Sequence, residues 1–322
     1  MLNQPLCIII APDSLVCQVI MKRRFIRGVP NHCYQKTARG VLLFYSVTDF
    51  VVFFTHICVS AMRHRVRILS IVLMPDHLHI CVEADSVDEL NDFVKCYSSP
   101  FAIAHNRRCS YYGALFRHRY GSAPKKTDKA IRTNLIYIGN NPVERHLTKK
   151  AEDYQWNFLK YYKCPNPFSD KLVLSHASRK LRNAVSEVNT CRRALIPIKY
   201  ELLQRIASPL SAMEKRQLVD YIVSAYNVID YEAAISYFGT YENMIGAMHV
   251  TTGSEYDMKE EHPGWDDSNY AKMHAVVMRE CGFGDIHQVL SLSEQEKKNL
   301  VKLLAENTHA PLKQRERYLR VR

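Results

Sequence analysis

No two of the 10 cysteines stand in a C-x-x-C pair, and the intervals between them are irregular. That excludes a zinc ribbon and a disulfide framework. Several thiols lie in apolar runs, Cys58 and Cys81 among them, where free cysteine acts as a small buried hydrophobe. A reducing, cytoplasmic setting is expected. No apolar run is long enough to cross a bilayer, so no membrane partner is expected. The short apolar patch from Cys7 to Ala11 has no Lys or Arg before it, unlike a secretory leader. Met21-Lys-Arg-Arg24 reads as the natural start of the folded part, which leaves residues 1–20 as a loose extension. Internal repeats and low-complexity tracts are missing too. Acidic residues fall short of basic ones, 32 against 44, for a net charge of +12. Such an excess points to a polyanion, nucleic acid first, against the alternative of a basic protein with no such role.

What is present suits two domains. The chain has 322 residues, of which 47% are hydrophobic and 24% charged, the composition of a globular protein. An extended piece around Asn31-His-Cys-Tyr-Gln35 comes first. A helix capped by Thr48 or Ser46 follows to about His64, with Phe50, Phe53, Phe54, Ile57 and Cys58 at helical spacing. Val66–Met74 and His77–Glu83 read as two antiparallel strands joined at Pro75-Asp76, a connection too short for a crossover. Ser86 caps a second helix to about Asn106, and an extended segment through Phe116 follows. The order is βαββαβ, an α+β, ferredoxin-like arrangement with an antiparallel sheet. In it the helices cover one face and leave the other free. The next helix starts at Thr127 or Asp128 and should end at Asn141, because Pro142 disfavours helix before it.

Pro165, Pro167 and Ser169 suggest a linker. The expected division is a domain at 21–165 and a mostly helical region at 166–322. Near its end, a capping box at Ser293–Glu296 opens a helix, and a basic helix follows a break at 308–311. That pair over 293–321 is compatible with a helix-turn-helix, or with a plain helical pair and a charged tail.

Three patterns carry chemistry. His77 and His79 are two apart on a strand, so they share a face and offer two imidazoles to a metal ion; the alternative is a pair on a solvated face. Tyr137 and Asn141 are four apart on a helix and share a face if the last turn holds. Arg117, Arg119, Lys125, Lys126, Lys129 and Arg132 form a basic stretch suited to phosphate contact, or else a solvated loop.

Leu73-Met-Pro-Asp-His-Leu-His79, followed about sixty residues later by Tyr137-Ile-x-x-Asn-Pro142, resembles the single-tyrosine HUH transposases. Within them it is similar to the REP-associated tyrosine transposase branch. Asp153-Tyr-x-Trp156 also looks familial, and the resemblance spans roughly residues 22–162. The resemblance implies a ferredoxin-like domain, with His77, His79 and Asn141 as ligands of Mg²⁺ or Mn²⁺. Tyr137 is then the nucleophile. It would cleave single-stranded DNA near a hairpin, form a 5′-phosphotyrosine and leave a free 3′-OH for strand transfer. Residues 166–322 have no counterpart in the short members.

The alternative is a sequence-specific DNA-binding protein whose HUH site no longer turns over. A metal-dependent RNA-binding protein is disfavoured, since the RNP-type aromatic signature is missing. The expected partners are single-stranded or hairpin DNA, with a homodimer left open.

Overall fold

The computed structural model describes residues 24–117, 119–250 and 266–321. The expected extension at 1–20 and the polar stretch at 252–261 lie outside the described residues.

Four strands form one antiparallel sheet: β1 (Asn31–Lys36), β2 (Arg67–Met74), β3 (His77–Glu83) and β4 (Gly121–Pro124), in the order β2-β3-β1-β4. α1 (Val47–His64) lies between β1 and β2, and α2 (Val87–Arg108) between β3 and β4. Each helix starts where the sequence supplies acceptors for its open N–H groups. The Asp49 carboxylate takes the amides of Tyr45 and Ser46 at 2.8 Å each. Ser86 Oγ takes the amide of Glu89 at 3.1 Å. The fourth strand differs from expectation. The segment ending at Phe116 makes only an isolated bridge with Thr37, and Gly121–Pro124 completes the sheet instead. Gly121 lies opposite Tyr34, and a side chain there would collide with the Tyr34 ring. A glycine strand carries no apolar alternation, which is why periodicity does not find it.

One face of the sheet, with Cys33, Ile71, Leu73, Leu78, Ile80 and Val82, packs on α1 and α2. α1 is buried nearly all round, at Val51, Val52, Phe53, Phe54, Ile57, Cys58 and Val59. A helix apolar on every side needs cover on every side. The outer cover comes from α4 (Arg179–Arg193), α5 (Tyr200–Ala207) and α6 (Ala212–Tyr226), whose Val188, Leu203 and Ile222 join the same core. That core therefore crosses residue 165 without a break.

The second sheet face is not left free. A bulge between Ile68 and Ser70 resets the alternation of β2, so Leu69, Val72 and Met74 point to it. α3 (Asp128–Glu144) lies over that half with Ile131, Leu135 and Ile138, and Ala234 of α7 (Tyr231–Ser236) joins them. Over β1, Tyr34 and Lys36 stay half-buried.

The remaining helices are α8 (Tyr241–Val250), α9 (Asn269–Cys281), α10 (Glu294–Asn307) and α11 (Leu312–Leu319). A second core joins Leu42 and Tyr45 to α9, α10 and Tyr318 of α11. In α11, Arg315 donates to the Val301 carbonyl at 2.5 Å. Arg320, just after it, donates to the Leu42 carbonyl at 3.1 Å. No helix among the described residues is long and apolar enough to cross a membrane.

Candidate functional site

The strand alternation places His77 and His79 on the face under α3, opposite Lys36 and Tyr34 of β1. From above, α3 lowers Asn134, Tyr137 and Asn141 onto them. These positions repeat at i, i+3 and i+7, one stripe of a helix. The helix does not stop at Asn141. It runs to Glu144 with Pro142 inside. Proline's missing N–H removes one bond, but the turn is held by Arg145 N donating to Asn141 O at 3.1 Å and Leu147 N to Pro142 O at 2.9 Å. Tyr137 and Asn141 therefore keep helical spacing on one face.

The two distant motifs meet. His77 Nε2 lies 3.2 Å from Asn141 Oδ1. The Tyr137 ring is 5.4 Å from the His79 ring, and the two imidazoles are 5.0 Å apart. All four side chains are buried, Tyr137 at 5% exposure.

Each histidine is held from behind. His77 Nδ1 lies 2.6 Å from Asp76 Oδ1. Burial would raise the Asp76 pKa, but His77, Arg145 and Arg317 outweigh it and hold the carboxyl well below the usual range. An ionised carboxylate can only accept, so Nδ1 is the His77 donor to Asp76, and in the neutral tautomer Nε2 then presents its lone pair towards Asn141. His79 Nδ1 lies 2.9 Å from His32 Nε2, and Asn134 Nδ2 lies 2.9 Å from His32 Nδ1. Burial, then His79 and Lys125, push the His32 pKa well below its ordinary value, so His32 is neutral. A neutral imidazole donates from one nitrogen and accepts at the other. The orientation of the Asn134 amide therefore sets which nitrogen of His79 carries its proton. With Asn134 Nδ2 towards His32, as it stands, His32 Nε2 donates to His79 Nδ1 and the His79 proton lies on Nε2; turning the amide over moves the protons to both Nδ1 atoms and makes His79 Nε2 a ligand atom.

His32 and Asn134 were not among the expected site residues. Their signals were present: His32 alternates in register with Tyr34 and Lys36, and Asn134 opens the stripe of Tyr137 and Asn141.

The basic residues divide. They bracket β4 instead of lying between the sheet and α3. Arg117, Arg119, Lys126 and Lys129 are exposed. Arg117 N donates to Lys36 O at 2.9 Å, which ties that cation to the strand opposite His77. Lys125 is buried near His32, and Arg132 is half-buried and donates to the Tyr237 carbonyl at 3.4 Å.

His77 Nε2, His79 and the amide oxygen of Asn141 are the side chains that could hold a divalent ion. In the neutral tautomer with Nδ1–H donating to Asp76, the Nε2 lone pair and the amide oxygen face each other at 3.2 Å. Two acceptors are a poor pair alone. Their separation is that of adjacent ligands on one octahedral ion, each bonded at about 2.1–2.2 Å. Among the described residues no group of three or more His, Cys, Asp and Glu side chains is arranged to hold a metal. This set has only two such side chains, and its third donor is an amide.

No family model and no curated protein matches the chain. A solved structure described as a REP-associated tyrosine transposase bound to a REP hairpin is similar to it. The match has 18% identity and a TM-score of 0.34, over 42% of this chain and 79% of that one.

Proposed function

We propose that this protein is a metal-dependent, single-tyrosine endonuclease and strand transferase for single-stranded DNA near hairpins, on a ferredoxin-like domain. The observation that carries the reading is the 3.2 Å approach of His77 Nε2 to Asn141 Oδ1. It joins two motifs that are far apart in the chain, beside the one tyrosine the resemblance needs. The element order βαββαβ and the strand order β2-β3-β1-β4 agree with a ferredoxin-like sheet.

His77, His79 and Asn141 would hold Mg²⁺ or Mn²⁺, which supplies Lewis-acid stabilisation of a phosphoryl oxygen. Asp76 and His32 orient the two imidazoles. The Tyr137 ring is fixed between His32, at 5.7 Å, and His79. Its phenol oxygen bonds to phosphorus as the bond to the 3′ oxygen breaks. The phenol proton is given up and the 3′ oxygen takes one, leaving a 5′-phosphotyrosine and a 3′-OH. A 3′-OH on another strand reverses the step, so strand transfer needs no ATP.

The exposed Arg117, Arg119, Lys126 and Lys129 would meet phosphates. If all four do, the logarithm of affinity falls with the logarithm of salt at a slope of about −3, from about 0.7 per phosphate on a single strand. Removing both Lys126 and Lys129 should cut that slope by about 1.4. A fluorescence-anisotropy salt series measures it, and an unchanged slope would take these two lysines off the DNA path.

The test of the reading is a denaturing gel of protein mixed with hairpin oligonucleotides from the flanks of its own gene, with Mn²⁺ or EDTA. A metal-dependent shifted band is the expected result. The second reading, a DNA-binding protein that does not turn over, draws on the burial of Tyr137. Tight binding with no adduct on any flank sequence would establish it.

A further inference from the structure

The C-terminal helix reaches the back of the site. Arg317, in α11, places Nη2 3.0 Å from Asp76 Oδ2, and its Nε donates to the Gly40 carbonyl. Asp76 Oδ1 is the oxygen bonded to His77 Nδ1, at 2.6 Å. The helix itself is docked through buried polar contacts. Gln314 Nε2 donates to the Asp266 carbonyl at 2.8 Å, and Asn269 Nδ2 donates to Gln314 Oε1 at 3.1 Å. Tyr45 donates from its hydroxyl to the Tyr318 carbonyl at 2.9 Å.

A carboxylate is broadly free about its last torsion unless both oxygens are held. Here Oδ1 serves His77, with Arg145 Nη2 at 3.6 Å, beyond hydrogen-bond range. Arg145 is turned to Asp267, which it meets at 2.8 Å. The close contact on the other oxygen is Arg317. We propose that Arg317 is a positioning residue for His77: its pairing with Asp76 Oδ2 fixes the carboxylate plane that keeps the imidazole proton on Nδ1 and Nε2 turned to the site. The ligand part of this inference rests on the proposed use of His77; the orientation part does not. On this account the C-terminal helix completes the site, and a chain without it has a loose Asp76.

Full-length protein labelled with ¹⁵N-histidine tests this without turnover. His77 signals are assigned by their loss in His77→Gln. In the metal-free protein, Nδ1 of His77 is expected to be protonated and Nε2 bare. Arg317→Met should mix the two tautomers. It should also weaken Mn²⁺, titrated by electron paramagnetic resonance, by about 10–100-fold, as for other partners behind a metal ligand. Arg317→Gln keeps a donor for Gly40 without the charge, should behave like Met, and decides the question if the Met variant does not fold. Arg320→Met is the control for docking: Arg320 bonds the Leu42 carbonyl and lies over the Tyr45 ring, so its loss should leave the His77 signals in place. Wild-type His77 signals and Mn²⁺ affinity in a folded Arg317 variant would overturn the proposal. A wild-type protein that ignores Mn²⁺ would sink the ligand reading of His77, while the tautomer comparison would still decide the role of Arg317.

Discussion

Under the proposed function, Tyr137→Phe should abolish covalent protein–DNA adducts while hairpin binding stays within about threefold of wild type. The loss should reach the floor of a gel assay, ~10³-fold or more, because phenylalanine has no oxygen to bond phosphorus. The ring itself is retained. It keeps its place against His32 and His79 and among Val72, Met74, Cys81 and Leu135, so the fold should not change. Two other results would count against the nucleophile. Adducts that survive would move the attack to another residue. Joint loss of adduct, binding and melting temperature would make Tyr137 a packing residue. Asn141→Ala offers a contrast: the phenol remains, and the fall in adduct should be partly recovered at high Mn²⁺.

The site was legible where one local rule sufficed. Strand alternation puts His77 beside His79, and one helical turn puts Tyr137 over Asn141. That the pairs meet is a fact of topology, and spacing alone does not give it. For His32 the alternation with Tyr34 and Lys36 gives the face but not the partner. His32 reaches His79 only because β1 pairs with β3, forty-seven residues away in sequence. The resemblance did not supply it either, since the motifs that carry it begin at Leu73.

Elements with strong end signals were readable from the chain: α2 and α10 start at Ser86 and Ser293, as their polar caps suggest, and α1 starts at Ser46, one of its two candidate caps. The α+β class and the antiparallel sheet agree with expectation. The misses have physical causes. Gly121–Pro124 joins the sheet by backbone pairing without an apolar pattern. Pro142 sits inside a helix whose following turn is closed by Arg145 and Leu147 amides. The second sheet face is covered because α3 brings Ile131, Leu135 and Ile138 to it. Arg317 lies in the basic helix expected either as half of a helix-turn-helix or as a charged tail, and it turns inward to Asp76.

His287 makes the second large effect, on stability, and its sign follows from its neighbours. Its Nδ1 lies 2.6 Å from Asp285 and its Nε2 3.1 Å from Asp49. Burial works to lower its pKa, but these carboxylates outweigh burial and push it up to about 9. Asp49 is fully buried and also accepts from the Tyr200 hydroxyl at 2.8 Å; despite burial, these partners hold its pKa well below normal. Asp285 is paired in turn with Arg108 at 2.5 Å. A folded pKa above the unfolded 6.5 stabilises fully below pH 6.5, and that share is lost as pH rises through 9. A rise of this size is worth about 3 kcal/mol, at 1.36 kcal/mol per unit. The Asp49 share runs the other way: it is present above about pH 4 and lost on acidification. His56 and His105, lowered by burial to about 4 and about 3, must stay neutral when folded, so they also cost stability below pH 6.5. Stability should therefore peak near pH 6.5. The difference between wild type and His287→Gln isolates the one group, and it should shrink by about 3 kcal/mol between pH 6.5 and 9.5. Asp49→Ala leaves a buried imidazolium and two amides without their acceptor, and should cost about 3–5 kcal/mol at pH 6.5. Thermal melts at both pH values measure this. A wild-type-minus-variant difference that is flat from pH 6.5 to 9.5 would mean that His287 is not charged in the folded protein, and that its contact with α1 is only a neutral hydrogen bond.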